Sequence, residues 1–161
     1  MKKIYITALS CLFLLLTLSP KFSFSQEQSE GWNLDLKADF MSRYVWRGLQ
    51  LGGAYPSIQP TLELSNGDFA IGAWGAFSTS GLQSQEVDLY ISYTFANKMF
   101  TATLYDYFFP SDTASYNYFN YKKDETTHII EASLKFNGTE NLPLSLLMSS
   151  NIYGADARKA D

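Results

Sequence analysis

The sequence predicts an all-β protein: an antiparallel up-and-down transmembrane β-barrel, with about seven strands in its 161 residues. Three observations point there. Apolar and polar residues alternate with period two over long stretches. Short and long connections alternate along the chain, and the N-terminus carries an export signal. The chain is also 16% aromatic while its mean hydropathy is only −0.13, which suits strands with one face in lipid and the other in water.

The leader comes first. "MKK" is a charged start, Ile4 to Leu18 is an almost unbroken apolar run, and "SFSQ" at 23–26 places small residues at signal-peptidase spacing. Residues 1–25 are expected to be a cleaved secretory signal peptide, leaving 26–161 as the barrel domain. The apolar run is shorter than the ~20 residues of a spanning helix. Cys11, the only cysteine, lies within it and leaves with the peptide, so disulfide and thiolate chemistry are excluded. Losing Lys2, Lys3 and Lys21 from the twelve basic residues leaves nine against sixteen acidic ones, a net charge of about −7. That balance argues against nucleic acid as a partner, which calls for basic patches.

The strands follow in order. In residues 32–46, Trp32, Leu34, Leu36, Ala38, Phe40, Ser42, Tyr44 and Trp46 share one face. Asn33, Asp35, Lys37, Asp39, Met41, Arg43 and Val45 share the other. A 3.6-residue repeat would scatter these charges all round, so the stretch reads as one long strand. Spanning a membrane at a tilt takes ~9–11 residues, whereas strands of soluble sheets typically run only ~5–6. The same alternation recurs in 57–64, 69–78, 87–95 and 128–136, and 142–153 makes a seventh strand with Leu142, Leu144, Leu146, Met148 and Ile152 on one side. Residues 99–109, "MFTATLYDYFF", are strand-like with aromatics on both faces, so inside and outside stay unassigned.

The links "SNGD" (65–68), "ANK" (96–98) and "NGTEN" (137–141) are short, and two contain Asn-Gly for the positive backbone angles of a tight turn. Between them come the longer 48–56, 78–86 and 110–126. All short turns then fall at one end and all long loops at the other, the asymmetry of bacterial outer-membrane barrels with short periplasmic turns. On that reading Trp32 marks one aromatic girdle, with Tyr44 and Trp46 at the other. Asp35, Lys37, Asp39, Arg43, Arg47, Glu63, Asp88, Glu131 and Lys135 are expected to line the pore, since a charge at the lipid midplane costs ~2–4 kcal/mol.

"SRYVWRGL", "PSIQPTLEL", "NGDFAIGAWGAF" and "EVDLYISYTF", in that order, resemble the TorF-type porin family of outer-membrane β-barrel proteins. The resemblance covers roughly residues 32–153 and implies an outer-membrane barrel with a porin role and no catalytic residues to carry over. Members of that family run longer, and barrel chains usually end in a strand with a terminal aromatic. This chain stops at the charged "IYGADARKAD", and bacterial single-chain barrels have an even strand number, so the closing strands are expected to be missing here.

His128, the only histidine, lies near Asp124 and Glu125 at a strand start and reads as an exposed polar residue. No nucleophile stands at readable spacing from a base, so the chain is not expected to be an enzyme. One histidine and no mature cysteine give no metal site, and no cofactor is expected. The function expected is a porin-like channel in the outer membrane of a Gram-negative bacterium, passing small polar solutes or ions by passive diffusion, with outer-membrane lipid around it. The alternative is a non-conducting structural or adhesive barrel that binds external partners through its long loops.

Overall fold

The computed structural model describes residues 31–80, 85–110, 117–122 and 125–154. The expected signal peptide lies outside the described residues, as do Asp124 and the charged tail at 155–161. Among the described residues nine strands form: β1 (Asn33–Met41), β2 (Tyr44–Trp46), β3 (Leu49–Leu51), β4 (Ser57–Asn66), β5 (Phe69–Ser78), β6 (Glu86–Phe95), β7 (Phe100–Phe108), β8 (Ile129–Phe136) and β9 (Leu146–Gly154). Seven make one antiparallel meander in the order β1-β4-β5-β6-β7-β8-β9, and β2 and β3 pair as a separate hairpin. The large sheet is not closed into a barrel: β1 and β9 are its two edges.

Register carries the alternation across the whole sheet. One row runs Leu34, Leu64, Ile71, Ile91, Leu104 and Ala132 from β1 to β8, apolar throughout. Next to it on the opposite face runs Asp35, Glu63, Gly72, Tyr90, Tyr105, Glu131 and Asn151. Register also assigns the faces of β7. Tyr105 and Tyr107 join the polar face, while Leu104, Asp106 and Phe108 join the apolar one.

Burial is inverted relative to a water-soluble domain. Leu36 is 75% exposed, Phe40 79% and Met148 74%, with Leu62, Ile71, Leu89 and Leu134 also exposed. The buried side chains include Ser57, Thr61, Glu86, Asp88, Thr126, His128 and Glu131. An apolar face of this extent open to water would forfeit roughly 25 cal/mol for each Å² left uncovered.

The expectation of one strand through 32–46 is corrected. β1 stops at Met41, and the chain turns over its polar face as the β2–β3 hairpin. Two residues set the hairpin's own turn. Arg47 and Gly48 both have positive φ, 47° and 83°, the requirement of a two-residue type I′ turn. "YVW" and "LQL" then pair on either side, Tyr44 with Leu51 and Trp46 with Leu49. The last strand also starts later than expected, at Leu146, with Leu142 outside it and bridged to Thr139.

Gly72 shows how tightly the polar face is packed. A Cβ there would overlap the Tyr90 ring, which crosses the gap so that its hydroxyl donates to Glu63 Oε2 at 2.7 Å. Gly72→Ala is expected to displace that ring and lower stability by about 1–3 kcal/mol, the usual cost of overpacking. A urea titration followed by tryptophan fluorescence measures it, and an unchanged midpoint would show that the ring moves aside freely.

Candidate functional site

The hairpin lies across the polar face, and Arg47 at its tip anchors it. The guanidinium donates to both oxygens of Glu131, at 2.7 and 2.6 Å, and to Ser149 Oγ at 3.1 Å. Glu131 is only 2% exposed and also accepts from the Tyr107 hydroxyl at 3.1 Å. This two-pronged pair holds the Arg47 pKa above its ordinary value and gives fixed geometry as well as energy. A β-bulge between Ile130 and Glu131 sits at the anchor, and bulges re-aim side chains in this way.

Aromatic contacts seat the rest of the hairpin. Tyr44, 6% exposed, packs on Trp74 with centroids 5.4 Å apart, and Trp46 meets Tyr107 edge-on at 6.3 Å. The Arg47 guanidinium lies 4.4 Å over the Trp46 ring. Each aromatic pair adds ~0.5–1.5 kcal/mol beyond its area. Burial, and then the neighbouring Glu86 and Asp88 carboxyls, push the Tyr44 phenol well above its ordinary pKa, so it stays neutral. Between hairpin and sheet is a cleft of about 350 Å³ walled by Tyr44, Trp46, Trp74, Tyr105 and Tyr107, with Arg47, Gln59 and Asp88 among its polar groups.

The expected pore-lining residues divide into several groups. Asp35, Lys37 and Asp39 lie exposed on the polar face of β1, and Glu63, Asp88, Glu131 and Lys135 share that face through the register. Arg47 reaches Glu131. Arg43 does not join them: it is exposed and donates to the Ser42 carbonyl at 2.7 Å. Trp32 stands on the apolar side, edge-on to Phe69 at 6.1 Å. Tyr44 and Trp46 are corrected. They do not continue the apolar face of β1, because the turn after Met41 carries them onto the polar side.

His128 is a second correction. It is 0% exposed, not a surface residue. Nδ1 lies 2.7 Å from Asp106 Oδ1, and Nε2 donates to the Tyr118 carbonyl at 2.6 Å, since a carbonyl can only accept. Asp106 Oδ2 accepts from the Tyr121 hydroxyl at 2.6 Å, and the Tyr153 hydroxyl donates to the Tyr121 carbonyl at 2.6 Å. Tyr121 stacks on the imidazole at 4.2 Å, with Phe108 at 4.7 Å. The cluster clasps residues 117–122 over Asp106, the one carboxylate that register sets in a row with Leu36, Leu62, Leu89 and Ile130.

Trp74, Tyr90, Tyr105 and Tyr107 were not singled out from the sequence, nor was the Asp106–His128 pair. The polar-face parity of Trp74 and Tyr90 was visible, and an aromatic on a water-facing row is the signal that could have marked them. Among the described residues no group of histidine, cysteine and acidic side chains could hold a metal ion.

Fold and site together define an all-β protein built on a long antiparallel meander, with one apolar face and one polar face crossed by an anchored hairpin. The chain belongs to the family described as "Bacterial protein of unknown function (Gcw_chp)", whose model matches residues 25–159. No curated protein and no solved structure matches it.

Proposed function

We propose that the protein is a porin-like β-barrel of the bacterial outer membrane, passing small polar solutes or ions by passive diffusion, with the β2–β3 hairpin narrowing its lumen. The inverted burial carries this reading: apolar side chains cover the exposed face while Glu86, Asp88 and Glu131 are buried on the other. Strands of 8 to 10 residues suit a tilted crossing of the hydrocarbon layer. Two tight links, 67–68 and 96–99, fall at one end of the meander together with the longer 137–145, and its other connections fall at the opposite end; the likeness to TorF-type porins supports the same role. In lipid the backbone groups at the edges of β1 and β9 need partners, so the spanning form pairs these edges directly or through further strands.

Conductance of the purified protein in a planar bilayer is the test, with discrete ion-conducting steps as the expected result. Absence of conductance from folded, inserted protein would favour the second reading, a non-conducting structural or adhesive barrel. That reading draws on one observation, the hairpin pinned across the polar face by Arg47 and Glu131.

The faces give a separate prediction. Single cysteines at Ala38 and Asp39, neighbours on opposite faces of β1, are expected to react differently with a membrane-impermeant thiol reagent in liposomes. Asp39→Cys labels readily and Ala38→Cys is shielded by lipid. Equal labelling would remove the membrane reading.

A further inference from the structure

Glu86 and Asp88 form a buried acid pair with no basic partner among the described residues. Both are 5% exposed, and they stand two residues apart on the polar face of β6. Among the described residues the ion pairs are Arg47–Glu131, Lys122–Glu125 and His128–Asp106, so neither Glu86 nor Asp88 has a basic partner. Among the described residues Asp88 Oδ1 has no hydrogen-bond partner, while Glu86 stands against both the Asp88 carboxyl and the Tyr44 hydroxyl. A buried carboxylate is costly unless it takes up a proton or a cation or hydrogen bonds compensate it. Arg47 cannot serve, because Glu131 takes both prongs of its guanidinium.

Asp88 lines the aromatic cleft beneath the hairpin, and the cleft's volume of about 350 Å³ falls within the range of small-molecule sites. Its walls already hold one cation against a ring face, Arg47 over Trp46 at 4.4 Å. A second cation would find Trp74, Tyr105 and Tyr107 in the same cleft, and ring faces attract a positive charge within ~6 Å. Along the polar face the acids Asp35, Asp39, Glu63, Glu86, Asp88 and Glu131 outnumber Lys37, Arg47 and Lys135. A surplus of one sign in a cleft concentrates ions of the other.

We infer that this cleft is a binding subsite for a small protonated primary amine, its N–H groups meeting Asp88 and its alkyl chain lying against the aromatic walls. A primary ammonium is the class indicated because the orphaned oxygen needs a hydrogen-bond donor, which a quaternary ammonium lacks. The inference rests on the polar face being a water-filled interior.

The test needs no conductance. n-Butylammonium is added at neutral pH to the protein in detergent micelles, with Trp32 replaced by phenylalanine so that fluorescence reports Trp46 and Trp74. A saturable change is expected, with no saturable change for 1-butanol and at least about tenfold weaker binding for tetramethylammonium. Asp88→Asn is expected to weaken butylammonium by at least about tenfold. No saturation with butylammonium, or an equal response to 1-butanol, overturns the subsite. Tetramethylammonium binding as tightly as butylammonium overturns the role of N–H donors. If Asp88→Asn does not fold, the three probes on the parent still decide. A protein that conducts without binding the amine keeps the porin reading and loses the subsite, and one that binds without conducting does the reverse.

Discussion

Replacing Arg47 with alanine is expected to lower stability by about 2–3 kcal/mol, while the same change at Arg43 moves it by no more than about 0.5 kcal/mol. The two arginines stand four residues apart and look alike in sequence. Only Arg47 has a buried partner, and its loss leaves Glu131, 2% exposed, with the Tyr107 hydroxyl and no cation. Breaking a buried pair typically costs ~3–5 kcal/mol, and the partial exposure of the arginine lowers that figure because solvent screens the pair. Urea unfolding in micelles, followed by tryptophan fluorescence, measures both variants. Release of the hairpin tip also predicts larger single-channel steps for Arg47→Ala if the protein conducts as proposed. Equal losses of stability at both positions would show that the hairpin is not held by this pair.

His128→Ala is expected to cost about 3–4 kcal/mol and to free residues 117–122 from the sheet. Two short hydrogen bonds and three ring contacts disappear together, and the bond to the Asp106 carboxylate, involving a charged group, is by itself worth ~1.5–3 kcal/mol. The larger effect falls on Asp106, left on the apolar face with Tyr121 as its remaining side-chain partner among the described residues. Asp106→Asn removes that charge and is expected to cost only about 1–2 kcal/mol. Trypsin reads the clasp directly, because Lys122 follows Tyr121 at its end. Cleavage there should accelerate in His128→Ala well beyond Asp106→Asn. Identical rates in parent and variant would mean that the loop is held by something other than the histidine.

The sequence alone determined the strands of the meander and their faces, because period-two alternation is a local property that each strand displays by itself. Leu34, Leu62, Ile71, Leu89 and Leu134 could be set apart from Asp35, Thr61, Gly72, Asp88 and Lys135 with no knowledge of what lies beside them. The turn glycines were equally legible, since Gly67 and Gly138 both take positive φ, 58° and 86°, although the second opens the longer link 137–145 rather than a tight turn. β7 was the exception. Aromatics at both parities hid its faces until pairing with β6 and β8 supplied them.

Tertiary structure decided the rest. The Arg47-Gly48 turn was present in the sequence, but the alternation of residues 32–46 masked it, and nothing local says that a chain crossing at Met41 should fold back. Arg47 and Glu131 are separated by 84 positions, and Asp106 and His128 by 22. Register and loop path bring such partners within hydrogen-bond reach, and neither is a property of the residues between them. So the sequence could say that Glu131 and Asp88 face the polar side. Whether each finds a cation there depends on where a distant hairpin comes to rest.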